Sequence, residues 1–195
     1  MIITVFFYAF VAATVILISY YLSFSVSIFH SNSTKNKTQT IPVSVIICAK
    51  NEAENLQKFL PSVINQHYPK VEIILINDAS SDETLAIMEG FQQENNTIKI
   101  VNVKNIEAFW GNKKYALTLG IKAATNEHLL FIDADCKPVS KYWIQEMSSQ
   151  FTKEKSIVLG YGKYESKKHS LINLLVRFET LLTAIQYFSY AKLGS

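Results

Sequence analysis

The sequence predicts an α/β fold, with a mostly parallel sheet flanked by helices and preceded by one transmembrane helix. First, the chain opens with an apolar stretch, residues 2–29, that contains no charged residue. Second, apolar and β-branched runs alternate with helical patterns in the rest of the chain, as they do in doubly wound sheets. Third, one such run ends in Asp133-Ala134-Asp135, and ligands of these sheets bind beyond the carboxyl ends of strands. The pattern therefore predicts a site as well as a fold.

The amino-terminal apolar stretch predicts a transmembrane helix over residues 1–29. Its densest part, residues 2–22, exceeds the roughly 18 to 20 apolar residues that cross a bilayer. A cleaved signal peptide is the less favoured alternative, because no Lys or Arg precedes the apolar run and the run is long for a signal peptide.

The residues after the span predict its orientation. Lys35 and Lys37 follow it with no acidic neighbour, so the positive-inside rule predicts an outside amino terminus and a cytoplasmic remainder. The chain is thus expected to pass once through the cell membrane. Residues 30–40 are polar and rich in Ser, Thr and Asn, which indicates a linker. A folded domain is predicted over residues 41–195.

Composition narrows the function classes. An apolar fraction of 49% in 195 residues is enough for a sizeable core. Cys48 and Cys136 are the only cysteines, too few for a disulfide framework or a zinc site, and are expected to be small core or near-site residues. A formal charge of +3 gives no nucleic-acid footprint. No nucleic-acid partner is expected.

The first β-α unit opens the predicted domain. Residues 43–48 are apolar and β-branched, and Asn51-Glu52 follow where a helix can begin. The stretch to Gln66 repeats apolar residues at helical spacing. Pro61 falls inside this helix and is expected to kink or interrupt it, since proline removes a backbone hydrogen bond and clashes with the preceding turn.

Further units follow along the chain. Ser80 and Glu83 stand at capping-box spacing and predict the start of the second helix. A third helix is predicted over residues 112–124. The remaining predicted elements are strands over residues 71–76, 98–103, 129–132 and 157–161 and a short helix over residues 142–151. This alternation predicts parallel strands joined by right-handed crossovers.

The last predicted helix covers residues 171–191 and is strongly apolar, with Arg177 and Glu179 its only charges before the final turn. These charges make it too polar at its centre for a second predicted span. Two alternatives stay open, a helix of the protein core and a helix that lies at the membrane interface, where aromatic residues such as Phe178 and Tyr187 are favoured.

The carboxylates of Asp133 and Asp135 predict a divalent-cation site. They follow a buried strand together, and Mg²⁺ and Mn²⁺ prefer oxygen ligands, commonly one or two carboxylates with substrate phosphate oxygens. A cation there could hold a diphosphate, which suits a nucleotide-sugar donor. The alternative is a solvated turn after a strand, because Asp-x-Asp is a common pattern.

Four loop segments are predicted to meet at one edge of the sheet. They are Ala49-Lys50-Asn51-Glu52, Asn77-Asp78-Ala79-Ser80-Ser81-Asp82, Gly111-Asn112-Lys113-Lys114 and Asp133-Ala134-Asp135. Their order and spacing resemble the family 2 glycosyltransferases of the GT-A fold, over roughly residues 43–162. In that family the second strand ends in Asp-x-Ser-x-Asp-x-Thr, which is similar to the segment from Asp78 to Thr84.

Two further motifs carry the resemblance. The segment from Gly111 to Leu117 is similar to the family's Gly-Lys-x-x-Ala-Leu element, with one residue inserted after the glycine and Lys113 as the better match. The segment from Asp133 to Pro138 is similar to the family's Asp-Ala-Asp-x-x-Pro. With the Asn51-Glu52 turn after the first strand, which is similar to the family's Asn-Glu turn, there are four motifs. Each alone is a weak signal, but four in order are specific.

The resemblance implies a role for each matching residue. Ala49, Glu52 and Asp78 would face the nucleotide base and ribose, with Asp78 accepting from a uracil ring nitrogen. Lys113 would lie near the nucleotide or its phosphates. Asp133 would contact ribose or metal, and Asp135 would bind the metal, Mg²⁺ or Mn²⁺.

The same residues have plainer alternatives. Lys113 is also compatible with a solvated helix surface. Glu52 and Asp82 are residues of helix starts, where the helix dipole favours a carboxylate, and for Asp82 that alternative is preferred.

The implied reaction is transfer of a sugar, with inversion, from a UDP-sugar donor to a hydroxyl of a lipid or polysaccharide acceptor. In this family the catalytic base belongs to a later acidic motif, and none of the later acidic residues here stands in such a motif. These are Glu146, Glu154, Glu165 and Glu179. The base is therefore expected beyond residue 195, no catalytic residue is assigned, and the chain is expected to be part of a longer protein.

Two other functions compete with this one. Haloacid dehalogenase-like phosphatases also place Asp-x-Asp after an apolar strand, but normally on the first strand of the domain and with a different residue at the position of Lys137. A membrane-tethered module that binds a nucleotide without turnover is the second alternative.

Overall fold

The computed structural model describes residues 2–29, 40–104, 113–152 and 156–193. In chain order the helices and strands are α1 (Ile2–Phe29), β1 (Val43–Ala49), α2 (Ala53–Ile64), β2 (Val71–Asp78), α3 (Thr84–Glu94), β3 (Ile98–Val103), α4 (Lys113–Ala123), β4 (His128–Phe131), α5 (Trp143–Ser148) and α6 (Leu171–Leu193).

The chain divides into two compact units. The α/β unit comprises Lys35–Val158, and the helical unit comprises Met1–Thr34 together with Leu159–Ser195. The segment after residue 158, which the sequence analysis assigns to the folded domain, is thus grouped with the amino-terminal helix. The domain boundaries at residues 29, 40 and 195 stay a prediction.

The α/β unit contains a four-stranded sheet in the order β3-β2-β1-β4. Every strand pair is parallel, with Val43 opposite Val71 and His128 and with Ile73 opposite Ile98. The predicted parallel α/β fold is confirmed. Both central strands are mostly apolar and buried because helices cover both faces of the sheet.

Side chains of β1 alternate between two apolar clusters. Val45 and Ile47 pack on one face with residues of α2, α3 and α5, among them Leu56 and Met88. Ile46 packs on the other face with residues of β2 and with Ala116 of α4. The period-two alternation of a strand therefore builds both layers of the core.

Glu72 links neighbouring strands at the amino-terminal end of the sheet through hydrogen bonds and an ion pair. Its Oε1 accepts hydrogen bonds from Ser44 Oγ at 2.5 Å and from the Thr125 backbone N–H at 2.6 Å, and its Oε2 lies 2.7 Å from Lys99 Nζ. Burial raises the pKa of this carboxyl, but the hydrogen bonds from Lys99, Ser44 and Thr125 outweigh burial and lower the pKa to about 2. The turn between α4 and β4 is thereby fixed to β2.

Two predicted features differ from the structure. Helix α2 is not interrupted at Pro61, because it runs to Ile64 and the Pro61 carbonyl still accepts from the Asn65 N–H at 3.0 Å. Residues 157–161 form no strand, and Ile157 and Leu159 are 79% and 66% exposed. An apolar run becomes a strand only where a neighbouring strand pairs with it.

The helical unit contains α1 and α6. Both are long and apolar enough to cross a membrane. Among the described side chains of α6, only Ile185 and Ser189 are buried, which does not support a helix of the protein core. Lys35 and Lys37, on which the predicted orientation rests, lie outside the described residues.

Candidate functional site

The sheet order places a crevice at the carboxyl ends of β1 and β4. The chain leaves β1 toward β2 and β3 on one side and returns to β4 on the other, and such a switch point is where open α/β sheets bind ligands. A cavity of about 180 Å³ lies at this point. Its lining residues are Ile46, Cys48, Lys113, Leu117, Phe131, Ile132 and Asp133.

An ion pair stands at the wall of this cavity. Lys113 Nζ, on the first residue of α4, lies 2.7 Å from Asp133 Oδ1, and the two side chains are 59% and 63% exposed. An exposed ion pair contributes little to stability. Its effect is to hold a positive and a negative charge side by side at the cavity wall. The hydrogen bond to Asp133 raises the pKa of Lys113, which keeps a cation beside the cavity at neutral pH.

Asp133 and Asp135 follow β4 and are both exposed. Asp133 Oδ1 accepts from Lys113, and Asp135 Oδ1 accepts from the Cys136 thiol at 3.4 Å. The part of the chain that the structure describes contains no cluster of three or more His, Cys, Asp or Glu side chains. The two carboxylates nevertheless fit a hard cation whose remaining ligands come from substrate oxygens.

Cys48 and Cys136 lie near these charges. Burial, with a contribution from Asp78, raises the pKa of Cys48 to about 11. Burial and the hydrogen bond to Asp135 likewise raise the pKa of Cys136 to about 11. Both thiols therefore stay protonated at neutral pH. Cys48 is half-buried and lines the cavity, whereas Cys136 is exposed beside Asp135.

Ala49 and Asp78 stand at the ends of adjacent strands. Ala49 is 1% exposed and pairs with Asn77 in the parallel register, and the half-buried Asp78 is the last residue of β2. Directly after each strand the chain turns through a left-handed backbone conformation, with φ of 56° at Asn51 and 50° at Ala79. That conformation is unusual for alanine, and such residues concentrate at binding sites.

Hydrogen bonds join the loop after β1 to the loop after β2. The Asn51 N–H donates to Ser80 Oγ at 3.0 Å, and Asn51 Oδ1 accepts from the Ser81 N–H at 2.8 Å. The Glu52 N–H donates to Thr84 Oγ1 at 2.9 Å. The two loops therefore form one connected rim at this edge of the sheet.

Asp82 contributes to the starts of two helices. Its Oδ1 accepts from the Thr84 N–H at 3.0 Å, and its Oδ2 accepts from the Ala53 N–H at 3.3 Å. The hydrogen bond from the Thr84 side chain is the largest cause of a lowered pKa at Asp82. The role expected for Asp82 at a helix start is confirmed.

The predicted capping box is wrong. Helix α3 begins at Thr84, so Glu83 flanks the helix and makes no side-chain cap. Ser80 Oγ bonds instead to Asn51 in the other loop.

The structure brings some predicted site residues together and leaves others apart. Lys113 and Asp133 share the cavity wall, whereas Ala49, Glu52, Asp78 and Asp135 do not line it. The Glu52 carboxylate accepts from Asn55 Nδ2 at 2.6 Å on its own side of the rim. The roles of all six in nucleotide and metal binding stay predictions. Gly111 and Asn112 of the third motif lie outside the described residues.

Sequence reasoning missed several apolar lining residues. Ile46 lies two residues before Cys48 on β1, and Leu117 lies four residues after Lys113 on α4. Residues at these spacings share one face of a strand or helix. Strand period and helix period therefore place them on the faces of Cys48 and Lys113, but do not indicate that a cavity lies there.

Known proteins match this chain over the region that contains the candidate site. The model of the family described as Glycosyl transferase family 2 matches residues 44–190. Poly-beta-1,6-N-acetyl-D-glucosamine synthase of Staphylococcus epidermidis is 41% identical over 93 residues, 48% of this chain and 21% of that protein. The protein of the same name from Staphylococcus aureus is 28% identical over 188 residues, 88% of this chain and 44% of that protein. The chain thus spans less than half the length of these relatives.

A solved structure agrees with this fold. The mannosyltransferase PcManGT of Pyrobaculum calidifontis, in complex with GDP-Man and Mn²⁺, matches with a TM-score of 0.50 at 19% identity. The match covers 67% of this chain and 43% of the mannosyltransferase. At this identity the likeness concerns the fold.

Proposed function

Because this chain belongs to glycosyl transferase family 2 and has the GT-A fold, we propose that it binds a UDP-sugar. It takes part in transferring the sugar, with inversion, to an acceptor hydroxyl. The observation that carries the proposal is the position of Lys113 and Asp133. They meet at 2.7 Å on a cavity at the β1–β4 switch point, with Asp135 two residues further along. One cation and two carboxylates thus stand where a ligand is expected.

The charges at this edge suit a diphosphate that is bound together with a metal ion. Lys113 offsets anionic phosphate charge directly. Asp133 and Asp135 would hold Mg²⁺ or Mn²⁺, which stabilises the negative charge that develops on a leaving diphosphate. Without a cation the two carboxylates would repel the diphosphate, so donor binding should require a divalent ion.

The connected rim suits the nucleoside. Ala49, Glu52 and Asp78 stand at the ends of β1 and β2 or just beyond them, and the hydrogen bonds from Asn51 and Glu52 to the opposite loop fix their backbone. We assign the uracil ring nitrogen to Asp78 and the rest of the base and ribose to the other two. A fixed polar partner is what a planar base requires.

The acceptor class is proposed from the relatives. Those named as poly-beta-1,6-N-acetyl-D-glucosamine synthases support a polysaccharide acceptor, one of the two predicted classes. The carboxylate that deprotonates the acceptor hydroxyl remains assigned beyond residue 195. The phosphatase alternative is not retained, because the Asp-x-Asp motif follows the fourth strand in chain order.

Calorimetric titration of the full chain with UDP tests the proposal. With Mg²⁺ present UDP should bind, and EDTA should weaken the affinity at least about tenfold, the range found when even the partners of metal ligands are lost. Asp135→Asn should bind weakly under both conditions. Glu127→Gln removes the same charge from an exposed turn before β4 and should behave as the unmodified chain. Equal affinity of the unmodified chain with Mg²⁺ and in EDTA, or equal affinity of the unmodified chain and Asp135→Asn with Mg²⁺ present, would contradict the metal role.

A further inference from the structure

One side of α6 packs on α1 toward the carboxyl end of the helix and is exposed toward the amino end. Toward the carboxyl end, Ile185 and Ser189 are 4% and 0% exposed and lie in contact with α1. The Tyr20 hydroxyl of α1 hydrogen-bonds to Ser189 Oγ, and Gln186 Nε2 donates to the Tyr21 hydroxyl at 3.2 Å. This contact fixes which side of α6 faces the apolar helix α1.

The same side of α6 continues toward its amino end without cover. Leu171, Leu174, Leu175 and Phe178 are 57–70% exposed, and their spacing of three and four residues leads along the helix to Leu182, Ile185 and Ser189. The opposite side carries the polar residues Asn173, Arg177, Thr180 and Thr183 together with Val176 and Tyr187. The exposed apolar stripe is continuous with the surface that packs on α1.

Basic residues are held beside the uncovered end of the stripe. The Lys167 N–H donates to Asn173 Oδ1 at 2.9 Å, and Asn173 Nδ2 donates to the Glu165 carbonyl at 3.0 Å. Arg177 Nη1 donates to Ser166 Oγ at 3.1 Å. These bonds hold the segment before α6 against Asn173 and Arg177. Lys167 lines a cavity together with Leu171 and Leu174 of the stripe, and both Lys167 and Lys168 are exposed.

We propose that the amino-terminal half of α6 docks on an anionic lipid bilayer. Leu171, Leu174, Leu175 and Phe178 enter the boundary between headgroups and acyl chains, while Lys167, Lys168 and Arg177 contact anionic headgroups. Continuity with α1, itself long and apolar enough to cross the membrane, places this stripe on the bilayer side of the helical unit. Charge complementarity selects anionic lipid.

A helix that crosses the bilayer is the competing arrangement for α6. Arg177 and Glu179 lie in its first half, so crossing would carry two charges toward the hydrocarbon, which costs a few kcal/mol for each charge at the helix centre. An interfacial helix keeps both charges at the water side. The inference does not depend on the proposed enzymatic activity.

Spin labels on the full chain in vesicles test the position of α6. In a background of Cys48→Ser and Cys136→Ser, a label at Leu174→Cys should become accessible to oxygen and protected from a water-soluble relaxation agent when the vesicles contain phosphatidylglycerol. A label at Thr183→Cys, on the opposite side, is the matched control and should stay accessible to water. Immersion of both labels would show a spanning helix, and exposure of both would show that a bilayer does not cover the stripe. Either result would overturn the proposal.

The lipid charge is tested with the same label. Replacing both Lys167 and Lys168 by Gln should lower the docking equilibrium about 30-fold, since each basic residue near an anionic surface contributes roughly a factor of five. Replacing the exposed Lys70 and Lys122 of the α/β unit by Gln is the control and should leave docking unchanged. Equal immersion in pure phosphatidylcholine, or an unaltered equilibrium in the Lys167 and Lys168 variant, would overturn the role of anionic lipid.

Discussion

At the scale of single residues, the site depends on charges that the fold brings together from distant parts of the chain. Lys113 and Asp133 are twenty residues apart and meet at 2.7 Å because α4 packs on β1 and β2 and β4 pairs with β1. Asp82, in the motif that begins at Asp78, instead accepts hydrogen bonds at two helix starts, from the N–H groups of Ala53 and Thr84. A carboxylate of a family motif can thus have a structural task, while the ligand role assigned to Asp78 stays a proposal.

Replacement of Asp78 tests base recognition at this scale. We expect Asp78→Ala to reduce the preference for UDP over ADP, because the variant loses the acceptor assigned to the uracil ring nitrogen, while the dependence of binding on divalent cation persists. Competition titrations with the two nucleotides measure the preference. Glu54→Ala, an exposed carboxylate in the first turn of α2, is the control. An unchanged preference in Asp78→Ala would remove Asp78 from the base site.

The sequence alone predicts the charged residues of the site better than the apolar residues that line its cavity. Asp133, Asp135 and Lys113 are recognisable because carboxylates and a lysine at strand ends carry chemical meaning. Ile46, Leu117 and Phe131 line the cavity only because β1, α4 and β4 converge there. In the sequence they are ordinary core residues, since an apolar side chain carries no sign of whether it faces a core or a cavity.

At the scale of secondary-structure elements, Glu72 joins β2 to the turn before β4. Its pKa is lowered from 4.5 to about 2, so ionised Glu72 stabilises the folded state by on the order of 3 kcal/mol at pH values above about 4.5. This contribution should be lost as pH falls from about 4.5 to about 2, because the unfolded chain then binds the proton more readily.

Glu72→Gln should therefore lower the free energy of unfolding at pH 7 by on the order of 3 kcal/mol and weaken the pH dependence below pH 4.5. Denaturant titration of the full chain in detergent, followed by tryptophan fluorescence, measures both effects. Glu89→Gln, an exposed carboxylate on α3, is the control and should change stability little. A variant as stable as the unmodified chain at both pH 7 and pH 3 would show that ionised Glu72 does not stabilise the fold.

Two helix glycines provide a matched pair for the packing of α4. A Cβ at Gly120 would lie 2.2 Å from Ile76 Cδ1 and 2.9 Å from Ile76 Cγ1, and Ile76 is fully buried, whereas a Cβ at Gly90 on α3 would meet nothing within 4 Å. Gly120→Ala should destabilise the fold by about 1–3 kcal/mol through overpacking. Gly90→Ala should stabilise it by about 0.5–1 kcal/mol through helix propensity. The same denaturant titration measures both, and equal effects of the two would contradict the close approach of α4 to β2.

Elements were predictable where local pattern and tertiary contact agree. The strands at Val43–Ala49 and Val71–Asp78 carry long apolar runs and have partners on both sides. The run at residues 157–161 has the same local pattern but gains no partner strand among the described residues, so it stays irregular. The capping box failed for a related reason, because Ser80 finds a better partner in Asn51 of the neighbouring loop.

At the scale of the whole molecule, the predicted orientation in the membrane rests on Lys35 and Lys37 after α1. We expect a cysteine introduced at Ser33 to resist an impermeant thiol reagent in intact cells, because the positive-inside rule places that end of the span in the cytoplasm. A cysteine added ahead of Met1, on the other side of the apolar stretch, is the control and should react. Strong labelling at position 33 with none at the added cysteine would invert the topology.

The central claim is that the donor binds over the carboxyl ends of β1 and β4, and amide hydrogen exchange of the full chain with UDP and Mg²⁺ tests it most directly. Exchange should slow in residues 46–52 and 131–136, at the cavity and rim, and should stay unchanged around Glu72 and Thr125 at the opposite end of the sheet. The effect should disappear in EDTA. Protection confined to the opposite end, or to the helical unit, would contradict the proposed site.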